Sequence, residues 1–348
     1  MLVPNADTQL NFIAYLQRIF VEGDFVATYK FALLHALADI CVELSLPKDP
    51  QDGLCIPLSL LTEKFIELYW QHSVPYSANG ETPILLRQNT GKQSALISQL
   101  EGFRLQGVGS LTQLRKHADW HALLVKTQRV LMDGPLWRLQ KLAGVDECLL
   151  YPHQLNSKRE IQLNLGVDYC FRRFHDLVVS MTRAQWLQKI REYPANHAMI
   201  GDNGNLENFL FGTNRNSLAK VTEVLRHIQQ DNCFYCGKAM REKGQVDHFI
   251  PWARYPNDLA HNFVLAHSSC NNNKKAFLAA QCHKDNWFEQ NIVQHTDLIT
   301  TELGRSFTAD AHRSTAVTSW AYQLAAANHT QLWLGINQFV GFESTVLV

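Results

Sequence analysis

Residues 245–275 read QVDHFIPWARYPNDLAHNFVLAHSSCNNNKK. An Asp precedes a His, a second His precedes an Asn, an HxxC follows, and three asparagines run into two lysines. The segments QVDHFI and NFVLAH flank a loop marked by Pro251, Pro256 and Asn257, the pattern of two short strands and their connection. A helix is expected from about Asn271. The stretch therefore predicts a β-hairpin followed by a helix, and it gathers side chains that bind metals and move protons.

Just upstream, CFYC at 233–236 supplies Cys233 and Cys236, and the HxxC supplies His267 and Cys270. An x2 spacing lets both side chains of a knuckle turn toward one ion, and tetrahedral structural zinc commonly takes three cysteines and one histidine. These four are the expected ligands of a closed structural zinc that clamps the hairpin. Unligated core cysteines are the alternative, but they leave Gly237 and the polar HSSC turn unexplained. Cys41, Cys55, Cys148, Cys170 and Cys282 stand singly and read as small buried hydrophobes.

The order CxxC, DHFIP, HNFVL, then HxxC followed at once by Asn and three residues later by Lys, resembles the HNH endonucleases of the ββα-metal fold over about residues 231–280. The resemblance implies His248 as general base and Asp247 as a ligand of a catalytic divalent cation. It implies Asn262 as the residue that braces the hairpin loop and orients the base, Asn271 as the last metal ligand, and Lys274 as a phosphate contact. Asn272 and Asn273 are the alternatives to Asn271. Two departures stand out: HxxC replaces a second CxxC, and Asn271 stands where the last His of the family name would be. Hard oxygen donors favour Mg2+ or Mn2+ over a second zinc.

Around the site, Lys238, Arg241, Lys243, Arg254, Lys274 and Lys275 make a modestly basic cleft, with Arg254 a second expected phosphate partner. Trp252 and Tyr255 either probe a groove or pack on the zinc knuckle. His261 reads as pointing away along its strand, and Cys282-His283 as core or surface.

The chain has 348 residues, enough for two or three packed units. With 46% hydrophobic and 18% charged residues it reads as globular, and a formal net charge of zero excludes a polybasic tail-like binder, so any nucleic-acid surface is a patch. The first twenty residues lack a basic, apolar and small-residue secretory pattern, and no apolar run reaches bilayer length, so a cytoplasmic protein without a membrane partner is expected. The expected class is α+β, mainly helical. A helical N-terminal domain spans 1–144, with helices over Asp24–Leu44, the segment from Pro57, Ser94–Phe103, ADWHALLVKTQRVL and PLWRLQKLA. It is expected to read DNA, sense a modification or dock a protein partner. A connecting α/β region covers 145–213, with two strands joined by a turn between Cys148 and Val167 and a loop at GDNGNLENFLFGTNRNS. The nuclease domain covers 214–300, and a helical C-terminal segment, 301–348, packs on it.

The leading expectation is a divalent-metal-dependent endonuclease that hydrolyses phosphodiester bonds, in DNA before RNA, in a restriction or anti-phage defence setting. The alternatives are a non-catalytic zinc-stabilised module that binds nucleic acid or protein, and an RNA-directed nuclease.

Overall fold

A computed structural model describes residues 3–44, 53–78, 82–91, 93–153, 159–200, 205–212 and 218–342. The described chain is mainly helical, with four two-stranded antiparallel sheets. It divides into two compact units, Met1–Gly109 with Leu114–Gly212, and Ser110–Gln113 with Thr213–Val348. Helix α5, Leu111–Arg115, falls at the division.

The first unit is built around α2, Tyr29–Glu43, in which every residue from Lys30 onward is buried. A helix that is apolar on all sides belongs at the centre of a bundle. The others are α1 (Ala6–Glu22), α3 (Leu58–Trp70), α4 (Ala95–Leu105), α6 (Trp120–Asp133), α7 (Pro135–Arg138), α8 (Val167–Arg173), α9 (His175–Glu192), α10 (His197–Ile200) and α11 (Leu206–Phe211). Helix α2 packs on α3, α8 and α9. Its two carboxylates, Asp39 and Glu43, find buried partners. The Asp39 carboxylate lies 3.0 Å from His175 and 3.6 Å from Lys64, and Lys64 donates to Glu43 at 2.5 Å. Buried charges of this kind persist only when paired.

Three local expectations change here. The segment PLWRLQKLA is a single turn of helix, α7, followed by a hairpin of β2 (Lys141–Leu142) and β3 (Val145–Asp146). Its turn residues Ala143 and Gly144 both take positive φ, 46° and 86°, the backbone demanded by a tight hairpin turn. Between Cys148 and Val167 there is one described strand rather than two: β4, Glu160–Gln162, pairs with the distant β1, Cys55–Pro57. The turn expected between them overlaps 154–158, outside the described residues. Past Val167 the chain is helical, α8 and α9 meeting at Phe174. Of the loop expected at GDNGNLENFLFGTNRNS, the described part contains α11, whose start is capped by the Asn205 side chain accepting from the Asn208 N–H.

The second unit opens with α12, Leu218–Ile228, whose buried Val221, Val224, Leu225 and Ile228 form one stripe at i, i+3, i+4 and i+7. Just past its end, the Gln229 amide bonds Leu265 like a neighbouring strand, donating to the carbonyl at 2.7 Å and accepting from the N–H at 2.8 Å. Leu265 lies in β6, Phe263–Ala266, fully buried and antiparallel to β5, Gln245–His248, with Asp247 opposite Val264 and His248 opposite Phe263. Helix α13, Ser268–Lys274, follows at once. It starts three residues earlier than expected, because His267 is extended (φ −59°, ψ 144°) and acts as the N-cap position. The remaining elements are α14 (Gln281–Trp287), a π-helical turn (Phe288–Gln294), α15 (Thr296–Leu303), α16 (Ala311–Ala327) and a hairpin of β7 (Leu332–Gly335) and β8 (Gln338–Val340). That hairpin was not expected from the sequence. No described helix is long and apolar enough to cross a membrane.

Candidate functional site

The first knuckle is a tight turn: Gly237 N–H donates to the Cys233 carbonyl at 2.9 Å, and Cys233 N–H to the Lys238 carbonyl at 2.9 Å. Gly237 sits at φ 68°, where a side chain would be strained. The second knuckle is the start of α13, with His267 just before it and Cys270 in its first turn. The ligand atoms of Cys233, Cys236, His267 and Cys270 all lie within 4.8 Å of one another. Among the described residues this is the only group of His, Cys, Asp or Glu side chains so arranged. The Cys236 sulfur is 3.3 Å from His267 Nδ1, and His267 N–H points at the Cys233 sulfur at 3.3 Å. Three thiols and one imidazole converging on a point can hold a zinc ion, and no fifth polar group is needed to complete the set.

Beside it lies Asp247, 8% exposed. Tyr235, in the first knuckle, donates its hydroxyl to Asp247 Oδ2 at 2.6 Å, and the Lys274 ammonium reaches the same oxygen at 3.0 Å. Lys274 is fully buried; it also donates to the His248 carbonyl at 3.1 Å and lies over the Tyr235 ring. Burial pushes its pKa below the usual lysine value, against the pull of Asp247. The lysine expected to meet a phosphate is thus placed inside, as the counter-charge of Asp247. Tyr235 is driven the other way, well above the usual phenol value, by burial and by the Asp247 charge.

His248 ends β5. Its Nε2 is 2.8 Å from Asp258 Oδ1, and its ring packs edge-on against Trp252 and Phe263, with centroids 5.2 and 5.0 Å apart. Asn262, 3% exposed, grips Ile250 from across the loop: Oδ1 accepts from the Ile250 N–H at 2.7 Å and Nδ2 donates to its carbonyl at 3.0 Å. The Asn262 carbonyl accepts from the Phe249 N–H at 2.7 Å. The strand end that carries His248 is therefore held by three bonds to one residue. Asn271 is half-buried and donates through Nδ2 to Gln245 Oε1 at 3.0 Å. Asn272 is exposed, and Asn273 instead anchors the β7–β8 hairpin, accepting from Trp333 Nε1 and the Asn337 N–H.

The loop residues divide. Arg254 is half-buried, and its Nε–H has no partner among the described residues. Tyr255 is fully buried, its hydroxyl accepting from Arg313 at 2.7 Å, so it does not probe a groove. Trp252, half-buried, packs on His248. His261 is buried, its Nε2 3.1 Å from the Thr296 hydroxyl. His283 donates to the Leu334 carbonyl and stacks on Trp333, a packing role, while Cys282 is exposed. Two participants were not singled out from the sequence, Tyr235 and Asp258. Tyr235 had only its place inside CFYC to mark it, and Asp258 only the turn-like PND.

Residues 233–280 match a family model described as HNH endonuclease, the segment in which that resemblance was expected. Residues 9–136 match a second, described as a domain of unknown function (DUF8808). No curated protein and no solved structure matches the chain. The segment 233–280 thus falls in a nuclease-type family, whose substrates are in general nucleic acids.

Proposed function

We propose that the chain is a divalent-metal-dependent endonuclease that hydrolyses phosphodiester bonds, with DNA the favoured substrate. The observation that carries this reading is the pairing, in one matched segment, of a histidine held by a carboxylate at the end of β5 with a carboxylate one residue earlier beside α13. A module needing only zinc has no use for that pair.

In this reading His248 is the general base. It takes a proton from water as the oxygen attacks phosphorus and the bond to the 3′-oxygen breaks, leaving a 5′-phosphate. Asp247 and Asn271 are the residues that would hold Mg2+ or Mn2+. The fit is through oxygen donors: Tyr235 and Lys274 both engage Oδ2 of Asp247, which leaves Oδ1 for a hard cation. Such an ion would supply charge stabilisation for the departing oxygen. Asn262 holds the strand end beneath the base. Arg254, whose Nε–H has no partner among the described residues, is the stronger candidate for a phosphate contact. Cys233, Cys236, His267 and Cys270 hold a structural zinc. Restriction or defence against phage is the setting we propose, with the first unit reading DNA or docking a partner protein in the cytoplasm.

The test is nicking and linearisation of a plasmid by purified protein with Mg2+ or Mn2+, beside EDTA and a His248→Ala variant of unchanged zinc content. Metal-dependent cutting that disappears in the variant supports the reading. Cutting of RNA but not DNA by the same preparation would transfer the activity to RNA. Binding of either without cutting would leave a zinc-stabilised binding module.

A further inference from the structure

The loop between β5 and β6 brings the Asp258 carboxylate back onto the His248 ring. We propose that Asp258 is the positioning residue of His248, selecting which ring nitrogen faces water; this rests on the reading of His248 as the base. An ionised carboxylate only accepts hydrogen bonds, so at 2.8 Å from Asp258 Oδ1 the His248 Nε2 carries the hydrogen. In the neutral ring the lone pair is then on Nδ1. The edge-on contacts with Trp252 and Phe263 restrict the tilt of the ring but do not distinguish its two nitrogens. Asp258 does. During the reaction Nδ1 takes the proton of the attacking water, the Nε2–H stays on the ring, and Asp258 faces the resulting imidazolium without becoming protonated.

Asp258 can do this because its loop is held from outside the matched segment. The loop turns on itself through Arg254 N–H to the Pro251 carbonyl, Asn257 N–H to the Tyr255 carbonyl and Leu259 N–H to the Asn257 carbonyl. Directly after Asp258, Leu259 forms a parallel bridge with Thr308, and Ala260 N–H donates to the Thr308 carbonyl at 2.9 Å. Three residues before Asp258, Arg313 of α16 donates twice to the buried Tyr255 hydroxyl, at 3.1 and 2.7 Å. Residues 308–313, well past residue 280, thus fix the loop on both sides of the carboxylate. The C-terminal part of the second unit is in this view a brace for the catalytic histidine.

The experiment compares wild type, Asp258→Ala, Asp258→Asn, His248→Ala and the double variant Asp258→Ala with His248→Ala, all full-length and of equal zinc content, in steady-state cleavage of a duplex with Mn2+. Asp258→Ala should lower kcat about 10- to 100-fold with KM changed less than about twofold. Asp258→Asn, which keeps an acceptor oxygen, should recover most of that loss. In the His248→Ala background, removing Asp258 should change nothing further. Long-range 15N–1H correlation spectra of the His248 ring give a readout free of activity. They should show the Nε2–H form in wild type and a mixture of tautomers in Asp258→Ala. An Nδ1–H form in wild type, or a loss of equal size in the His248→Ala background, overturns the proposal. So does a rise in KM with kcat unchanged. Full activity of Asp258→Ala beside an inactive His248→Ala would sink the positioning role and leave the base standing, whereas full activity of His248→Ala removes the base and the proposal together.

Discussion

Replacing Lys274 with Met separates two roles for that side chain. If the ammonium meets a phosphate, the change weakens binding and leaves the fold alone. The structure points the other way: Lys274 is fully buried, 3.0 Å from Asp247 Oδ2 and 3.1 Å from the His248 carbonyl. Methionine approximates the lysine stem but leaves the carboxylate without its counter-charge and the carbonyl without its donor. Breaking a buried ion pair by removing one partner costs about 3–5 kcal/mol. Asp247 keeps the Tyr235 hydroxyl at 2.6 Å, which argues for the lower end, about 3 kcal/mol. Since about 1.4 kcal/mol is a factor of ten, amide hydrogen exchange in β5 and β6 should speed up by about 100-fold. Lys275→Met, at an exposed position one residue on, should stay within about 0.5 kcal/mol of wild type. The assay is exchange followed by mass spectrometry of peptides covering 245–266, because it reports on this unit alone in a chain of two units. Equal protection in the two variants, with weaker DNA binding in Lys274→Met only, would refute the argument.

Other outcomes follow from the same geometry. Asn262→Ala strips both partners from the buried Ile250 peptide and should destabilise the second unit by about 2–4 kcal/mol, seen in the same exchange experiment; protection like that of wild type would mean that the loop is held without it. Cys270→Ser, or chelation, should release about one equivalent of zinc and expose α13 and β5–β6 to exchange, with the amides of α2 unaffected; retention of the metal would remove Cys270 from the ligand set. In the first unit, burial holds the His35 and His72 pKa values down to about 3, so their folded forms bind fewer protons than the unfolded chain, and stability should fall as pH drops from about 6.5 toward 3. His175 is the opposite case: burial lowers its pKa, but the carboxylates of Asp176, 3.5 Å away, and Asp39, hydrogen-bonded at 3.0 Å, outweigh that and raise it to about 9, so its contribution is complete below about 6.5 and is lost as pH rises through 9. Unfolding midpoints of this unit should therefore peak near pH 6.5, and a flat profile from pH 5 to 9 would contradict the assignment.

The clustering of Cys233, Cys236, His267 and Cys270 and the strand that carries Asp247 and His248 were legible because their geometry is written in short covalent spacings. Two residues between ligands allow one ion whatever the rest of the chain does, and a strand–loop–strand run is visible in its apolar pattern. Helix α2 was legible for a related reason, the helical spacing of its apolar residues. The β2–β3 turn was misread because Ala143 sits at positive φ, which its side chain does not advertise. The pairing of β1 with β4 was beyond reach, since about a hundred residues separate two strands of three residues each.

By itself the sequence determined which side chains could serve as zinc ligands, base and cation ligand. Only tertiary structure decided what each of them faces. Lys274 turned inward because Asp247 and Tyr235 offered it partners in a space that would otherwise hold an unpaired charge. Asp258 came to His248 because Thr308 and Arg313 hold the loop between them. Such pairings depend on desolvation and on chain segments far apart in sequence, and both come into being only when the core closes.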